Sequence, residues 1–140
     1  MGTAVMITSG KGGTGKTSLT AGVASCLAAL GRRVLCVDLD IGLRNLDLTL
    51  GMSDRALMDF TDVMEYRCPL LSAAVEQPEI RNLFLLTAPH SSPGLDQKRF
   101  QAVIEEASEY FDFVFMDSPA GLGEGFQLAM SAADRVIVVS

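Results

Sequence analysis

The sequence predicts an α/β fold, a mostly parallel sheet with helices on both faces, and three observations predict it. Short apolar, partly β-branched runs alternate along the chain with segments whose apolar residues recur at helical spacing. A glycine-rich stretch, Gly10-Lys11-Gly12-Gly13-Thr14-Gly15-Lys16-Thr17, joins the first such run to the first such helix. Two later runs end in an aspartate, Asp38 and Asp117, on the sheet edge where open α/β folds bind ligands.

Taken in order, Ala4-Val5-Met6-Ile7-Thr8 reads as the first strand, and Leu19, Val23, Cys26, Leu27 and Leu30 mark a helix stopping at Gly31. Val34-Leu35-Cys36-Val37 is a buried strand closing at Asp38, so strand, helix and strand make a parallel pair. An acid-bearing loop follows, Asp38-Leu39-Asp40-Ile41-Gly42-Leu43-Arg44-Asn45-Leu46-Asp47. Ser53-Asp54 suits the cap of a helix carrying Leu57, Phe60, Val63 and Met64. Pro69 opens a shorter helical piece with Leu70, Leu71, Ala74 and Val75 that ends before Pro78.

Residues 83–87 form the third strand, followed by a Pro-containing loop where His90, the single histidine, is expected at the surface. Asp96 caps a helix with Phe100, Val103, Ile104, Ala107 and Phe111 on one face and Glu105, Glu106 and Glu109 facing water. Phe113-Val114-Phe115-Met116 is the fourth strand, ending at Asp117 before a glycine-containing turn, Ser118-Pro119-Ala120-Gly121-Leu122-Gly123, that is able to change shape. A helix from about Glu124 to Ala133 and a fifth strand over residues 135–139 complete the order.

The chain has 140 residues, 49% hydrophobic and 20% charged, enough for one domain with a real core. Residues 1–140 are expected to be the N-terminal part of a single domain, because a buried-strand pattern runs to the last residues and its cover would lie beyond Ser140. A net charge of −6 argues against broad binding to nucleic acid, which needs clustered Lys and Arg. Cys26, Cys36 and Cys68 are far apart with no C-x-x-C spacing, and read as reduced thiols in keeping with the cytosol. No apolar run approaches membrane-spanning length, and no secretory signal pattern opens the chain.

The chemistry lies in the glycine-rich stretch. Glycines let the backbone curl so that successive N–H groups point inward, and the first turn of the helix adds unpaired N–H groups and a positive dipole end. Such a cradle fits a polyphosphate. Gly12, Gly13, Thr14, Gly15, Lys16, Thr17 and Ser18 would hold the nucleotide, with Lys16 against the β- and γ-phosphates and Thr17 on Mg2+.

Gly10-x-Gly12-x-x-Gly15 also matches a dinucleotide fingerprint, with Asp38 at the distance of a ribose-binding acid. Lys16-Thr17 and the second strand-end acid, Asp117, favour a nucleoside triphosphate. Asp117 has the context of a Walker B acid, and Asp40 stands at the same edge. Lys11 reads either as a second cation for the transition state or as a solvent-exposed lysine.

At Lys11-Gly12-Gly13-Thr14-Gly15-Lys16-Thr17 the chain resembles the deviant Walker A ATPases, the ParA/MinD family. The stretch from Asp38 to Asp47 and the run Asp117-Ser118-Pro119-Ala120-Gly121 are similar to the septum-positioning branch of that family. The resemblance implies a P-loop NTPase fold and a slow, Mg2+-dependent ATPase in which Lys11, Lys16 and Asp40 are catalytic. Lys11 would reach the partner's phosphates across an ATP-bound homodimer, Asp40 would position the attacking water, and Thr17, Asp38, Asp40 and Asp117 would act around the metal.

It further implies MinC-like and MinE-like regulators and an anionic membrane surface as partners, the latter reached through a C-terminal amphipathic helix. The expected location is the cytoplasm and, with ATP bound, the inner face of the cell membrane. Thr14 stands where Val is commoner in the family, and the absence of cysteine between Asp117 and Gly123 argues against an iron–sulfur cluster. The alternatives are a partitioning or flagellar-placement ATPase of the same family, and a non-hydrolysing dinucleotide-binding module.

Overall fold

A computed structural model of the chain describes residues 1–9, 15–40, 58–89, 95–119 and 123–139. Its elements, in order, are β1 (Thr3–Ser9), α1 (Lys16–Ala29), β2 (Val34–Asp38), α2 (Phe60–Met64), α3 (Leu70–Ala73), β3 (Val75–Glu76), β4 (Leu83–Leu86), α4 (Gln97–Tyr110), β5 (Phe113–Asp117), α5 (Glu124–Ala132) and β6 (Arg135–Val139).

The strands form one sheet in the order β3-β4-β2-β5-β1-β6, parallel throughout except for the β3–β4 pair. Alternation along each strand divides the core between the two faces. Ala4, Met6, Leu35, Val37, Val114 and Met116 join Phe60, Phe100, Ile104 and Leu128 of α2, α4 and α5. Val5, Ile7, Val34, Cys36 and Phe115 meet the alanines of α1 on the other face. Helices therefore cover both sides of a mostly parallel sheet, as the sequence predicts.

α1 runs where expected but turned the other way. Its buried residues are Lys16, Thr20, Ala21, Ala24 and Ala28, an alanine stripe at three- and four-residue spacing, while Leu19 and Leu30 are 41% and 78% exposed. Small residues let the helix lie close to the sheet, and the rotation is set by Lys16 and Thr17, both of which bond to the end of β5. Of the apolar positions that announce the helix, Leu27 alone packs against this core, and only partly buried.

Three shorter elements also differ from expectation. The cap of α2 is Asp59, whose side chain accepts from the N–H groups of Thr61 and Asp62, whereas Ser53, Asp54 and Leu57 lie outside the described residues. α3 ends at Ala73, and Val75–Glu76 leaves it to pair antiparallel with β4, adding a sixth strand that two residues are too few to signal. β6 has the composition of a buried strand, yet Val136, Ile137 and Val138 are exposed at the sheet edge. His90 lies outside the described residues.

Register brings the acids together. In the central strands Asp38 of β2 is the Cα partner of Asp117 of β5, and Asp117 is in turn the partner of Ile7 in β1. Both carboxylates follow a buried residue of the α1 face by two positions, Cys36 and Phe115, and so point to the side from which Lys16 arrives.

Candidate functional site

The site begins at Gly15, the residue before α1, whose φ of 97° lies in the left-handed region that only glycine enters freely. Among the described residues no side chain caps α1 there, and the first N–H groups of a helix are a place where anions bind. Lys16 follows immediately and is buried. Its Nζ donates to Oδ1 of Asp117, and the Thr17 hydroxyl donates to Oδ2 of the same carboxylate at 3.0 Å. Thr20 closes the first turn, its hydroxyl donating to the Lys16 carbonyl at 3.0 Å.

The strand ends are stitched to one another. The Leu39 N–H donates to the Asp117 carbonyl at 3.0 Å, and the Asp40 N–H donates to Oδ1 of Asp38 at 2.9 Å. Ser118 donates twice to the Ile7 carbonyl, from its N–H at 3.0 Å and its hydroxyl at 3.3 Å. The segments leaving β2 and β5 are thus held to the same edge as the glycine turn. Behind them, burial pushes the Cys36 thiol well above its ordinary value, and the negative charge of Asp117 adds to the shift.

The structure brings together Gly15, Lys16, Thr17, Asp38, Asp40 and Asp117 among the residues singled out from sequence. Ser18 is exposed on the first turn of α1. Lys11, Gly12, Gly13 and Thr14 lie outside the described residues. Thr8, unmarked as a site residue in the sequence, is buried near the end of β1, and its hydroxyl has no hydrogen-bond partner among the described residues. Gly125 is likewise unmarked in the sequence, because its importance is a matter of proximity and leaves no local pattern.

The donor set fits a nucleotide and its metal. A lysine delivered by a left-handed glycine to a helix N-terminus is suited to phosphate, and a hydroxyl beside a buried carboxylate is suited to Mg2+. Among the described residues no three His, Cys, Asp or Glu side chains converge on one point. Mg2+ takes one or two protein oxygens and draws the rest of its octahedron from water and phosphate, and Thr17 and Asp117 offer such oxygens. A ribose-binding role for Asp38 fits less well, because its carboxylate is fully buried and one oxygen already accepts from the Asp40 N–H.

A glycine turn feeding lysine and threonine to a strand-end aspartate on a parallel sheet places the chain among the P-loop nucleoside triphosphatases. The family model described as an AAA domain matches residues 2–140, and the chain belongs to that family. It is similar to the N-terminal half of MinD proteins. The septum site-determining protein MinD of Bacillus subtilis (strain 168) is 42% identical over 143 residues, which cover 100% of this chain and 53% of that protein.

Two solved structures agree. MinD in the MinC:MinD cell division protein complex of Aquifex aeolicus superposes with a TM-score of 0.87 at 42% identity, covering 97% of this chain and 55% of that one. The septum site-determining protein MinD of Pyrococcus horikoshii OT3, solved with Mg-ADP, gives a TM-score of 0.84 at 33% identity, covering 100% and 58%. The chain spans about half the length of the curated relatives it matches.

Proposed function

We propose that the chain is the nucleotide-binding part of a single ATPase domain that binds ATP, hydrolyses it slowly and uses it as a dimerisation switch in placing the division septum. The observation that carries this reading is the convergence of Lys16 and Thr17 on Asp117 directly behind the left-handed Gly15. ATP and Mg2+ are the expected ligands, in line with the Mg-ADP bound by the Pyrococcus relative.

In this reading Lys16 exchanges Asp117 for the β- and γ-phosphates, and the N–H groups at the start of α1 complete the cradle. Thr17 and Asp117 would hold the metal, with Asp38 beside them, and the ion would supply charge neutralisation at the phosphates. Asp40 positions the attacking water, and Lys11 contributes a cation across the dimer. Positioning carries most of the rate, which suits a slow enzyme.

The wider roles follow from the same relatives. The MinC:MinD complex supports a MinC-like partner, and the family supports a MinE-like regulator and an anionic membrane surface. The location proposed is the cytoplasm, with residence on the inner membrane face in the ATP-bound state. Phosphate release and light scattering test the switch: wild type should hydrolyse Mg-ATP and dimerise with it, and Asp40→Ala should dimerise without hydrolysing. Full turnover in Asp40→Ala would remove the role assigned to Asp40.

A further inference from the structure

Gly125 lies in the first turn of α5, against the backbone of the segment that carries Asp38 and Asp40 and the Pro119 ring of the segment that follows Asp117. A Cβ built on it would collide with the carbonyl oxygen of Leu39 and fall 3.0 Å from Cδ of Pro119. Leu39 is the fully buried residue between Asp38 and Asp40, and its N–H is the one that donates to the Asp117 carbonyl. Pro119 follows Asp117 by two positions. A backbone carbonyl cannot swing aside as a long side chain can, so the contact sets how far the Leu39 peptide sits from α5.

α5 is itself anchored. Oε2 of Glu124 accepts from the Leu95 N–H at 2.7 Å, and Leu128 and Ala129 are buried in the same cluster as Leu39. The helix is a fixed wall and Leu39 rests on it at the one position that lacks a side chain.

We propose that Gly125 is a positioning residue for the phosphate site, setting the place of Asp38 and Asp40 relative to Asp117 through its contact with Leu39. This rests on the ATPase reading above. An alanine at 125 must displace the Leu39 carbonyl or tilt α5 by about 1 Å, a misplacement large enough to cost up to a hundredfold in a reaction that depends on positioning.

The test pairs Gly125→Ala with Gln127→Ala, a change at an exposed position of the same helix, and reads turnover, ATP affinity without metal, and hydrogen exchange of the Leu39 amide. Gly125→Ala should lower kcat at least tenfold and speed Leu39 amide exchange at least tenfold in nucleotide-free protein. Metal-free ATP affinity, set by Lys16 and the helix N-terminus, should stay within twofold, and Gln127→Ala should match wild type throughout. Glu124→Ala, which loosens the wall without adding an atom, should move kcat and Leu39 exchange in the same direction and stands in if Gly125→Ala does not fold. Unchanged kcat and unchanged Leu39 exchange in a chain whose wild type hydrolyses ATP overturn the inference alone. Absence of Mg-ATP binding by wild type overturns the reading beneath it.

Discussion

Lys16 and Asp117 form an ion pair with almost no access to water, their side chains 7% and 1% exposed. Such a pair is strongly disfavoured when one member is removed, because the other is left charged and uncompensated in a medium that solvates it poorly. Asp117→Ala should therefore destabilise the fold by about 3 kcal/mol or more. Asp117→Asn, whose amide oxygen still accepts from Lys16 and Thr17, should cost clearly less. Urea unfolding of the two variants checks the order.

The same pair predicts a competition. In the free protein Lys16 is committed to Asp117, and a phosphate must take it away. Neutralising the carboxylate removes that competitor, so Asp117→Asn should bind ATP more tightly than wild type in the presence of a chelator, by on the order of tenfold, or about 1.4 kcal/mol. The gain in affinity on adding Mg2+ should shrink in the variant, since Asp117 is a proposed metal ligand. Calorimetric titrations with and without metal measure both effects, and weaker chelator-phase binding in Asp117→Asn would count against the exchange.

The cap of α2 gives stability a pH dependence. Partial burial raises the Asp62 carboxyl, but hydrogen bonds from Arg67 and the Asp59 N–H, with the Arg67 charge, bring it below its ordinary value of 3.8. A lowered carboxyl stabilises the fold fully above that ordinary value, and the contribution is lost as the pH falls through the lowered one. Asp62→Asn, which keeps an acceptor for the Asp59 N–H but loses the charge facing the exposed Arg67, should cost up to about 1 kcal/mol near neutral pH. The difference from wild type should narrow as the pH falls below 3.8 and through the lowered value.

Thiol reactivity reports the same interior. Cys26 is exposed on α1, whereas Cys36 is buried in β2 with its thiol held protonated by burial and by Asp117. Brief alkylation of the native protein followed by peptide mapping should label Cys26 and spare Cys36 until a denaturant is added. Rapid native labelling of Cys36 would contradict the packing of β2 against α1.

Much of this architecture was legible from local pattern. β1, the glycine turn and α1 stand out because an apolar run, clustered glycines and a helical period follow one another, and Asp38 and Asp117 stand out because each closes a buried strand. The setting of α1 was not legible, since the alanines that pack are less conspicuous than Leu19 and Leu30, which do not. β3 was missed because two residues carry no period, and Asp59 because Ser53-Asp54 offered a cap further upstream. Gly125 and Thr8 acquire meaning only from neighbours that the fold brings near, so no spacing in the sequence marks them.

If Lys16 and Asp117 belong to a phosphate-binding turn, nucleotide raises the melting temperature through Lys16. A ligand at a hundred times its dissociation constant stabilises the fold that binds it by about 2.7 kcal/mol. Wild type should therefore melt several degrees higher with Mg-ATP, and Lys16→Ala should show no such rise. An equal rise in Lys16→Ala, or a rise with NAD and none with Mg-ATP, would contradict the account.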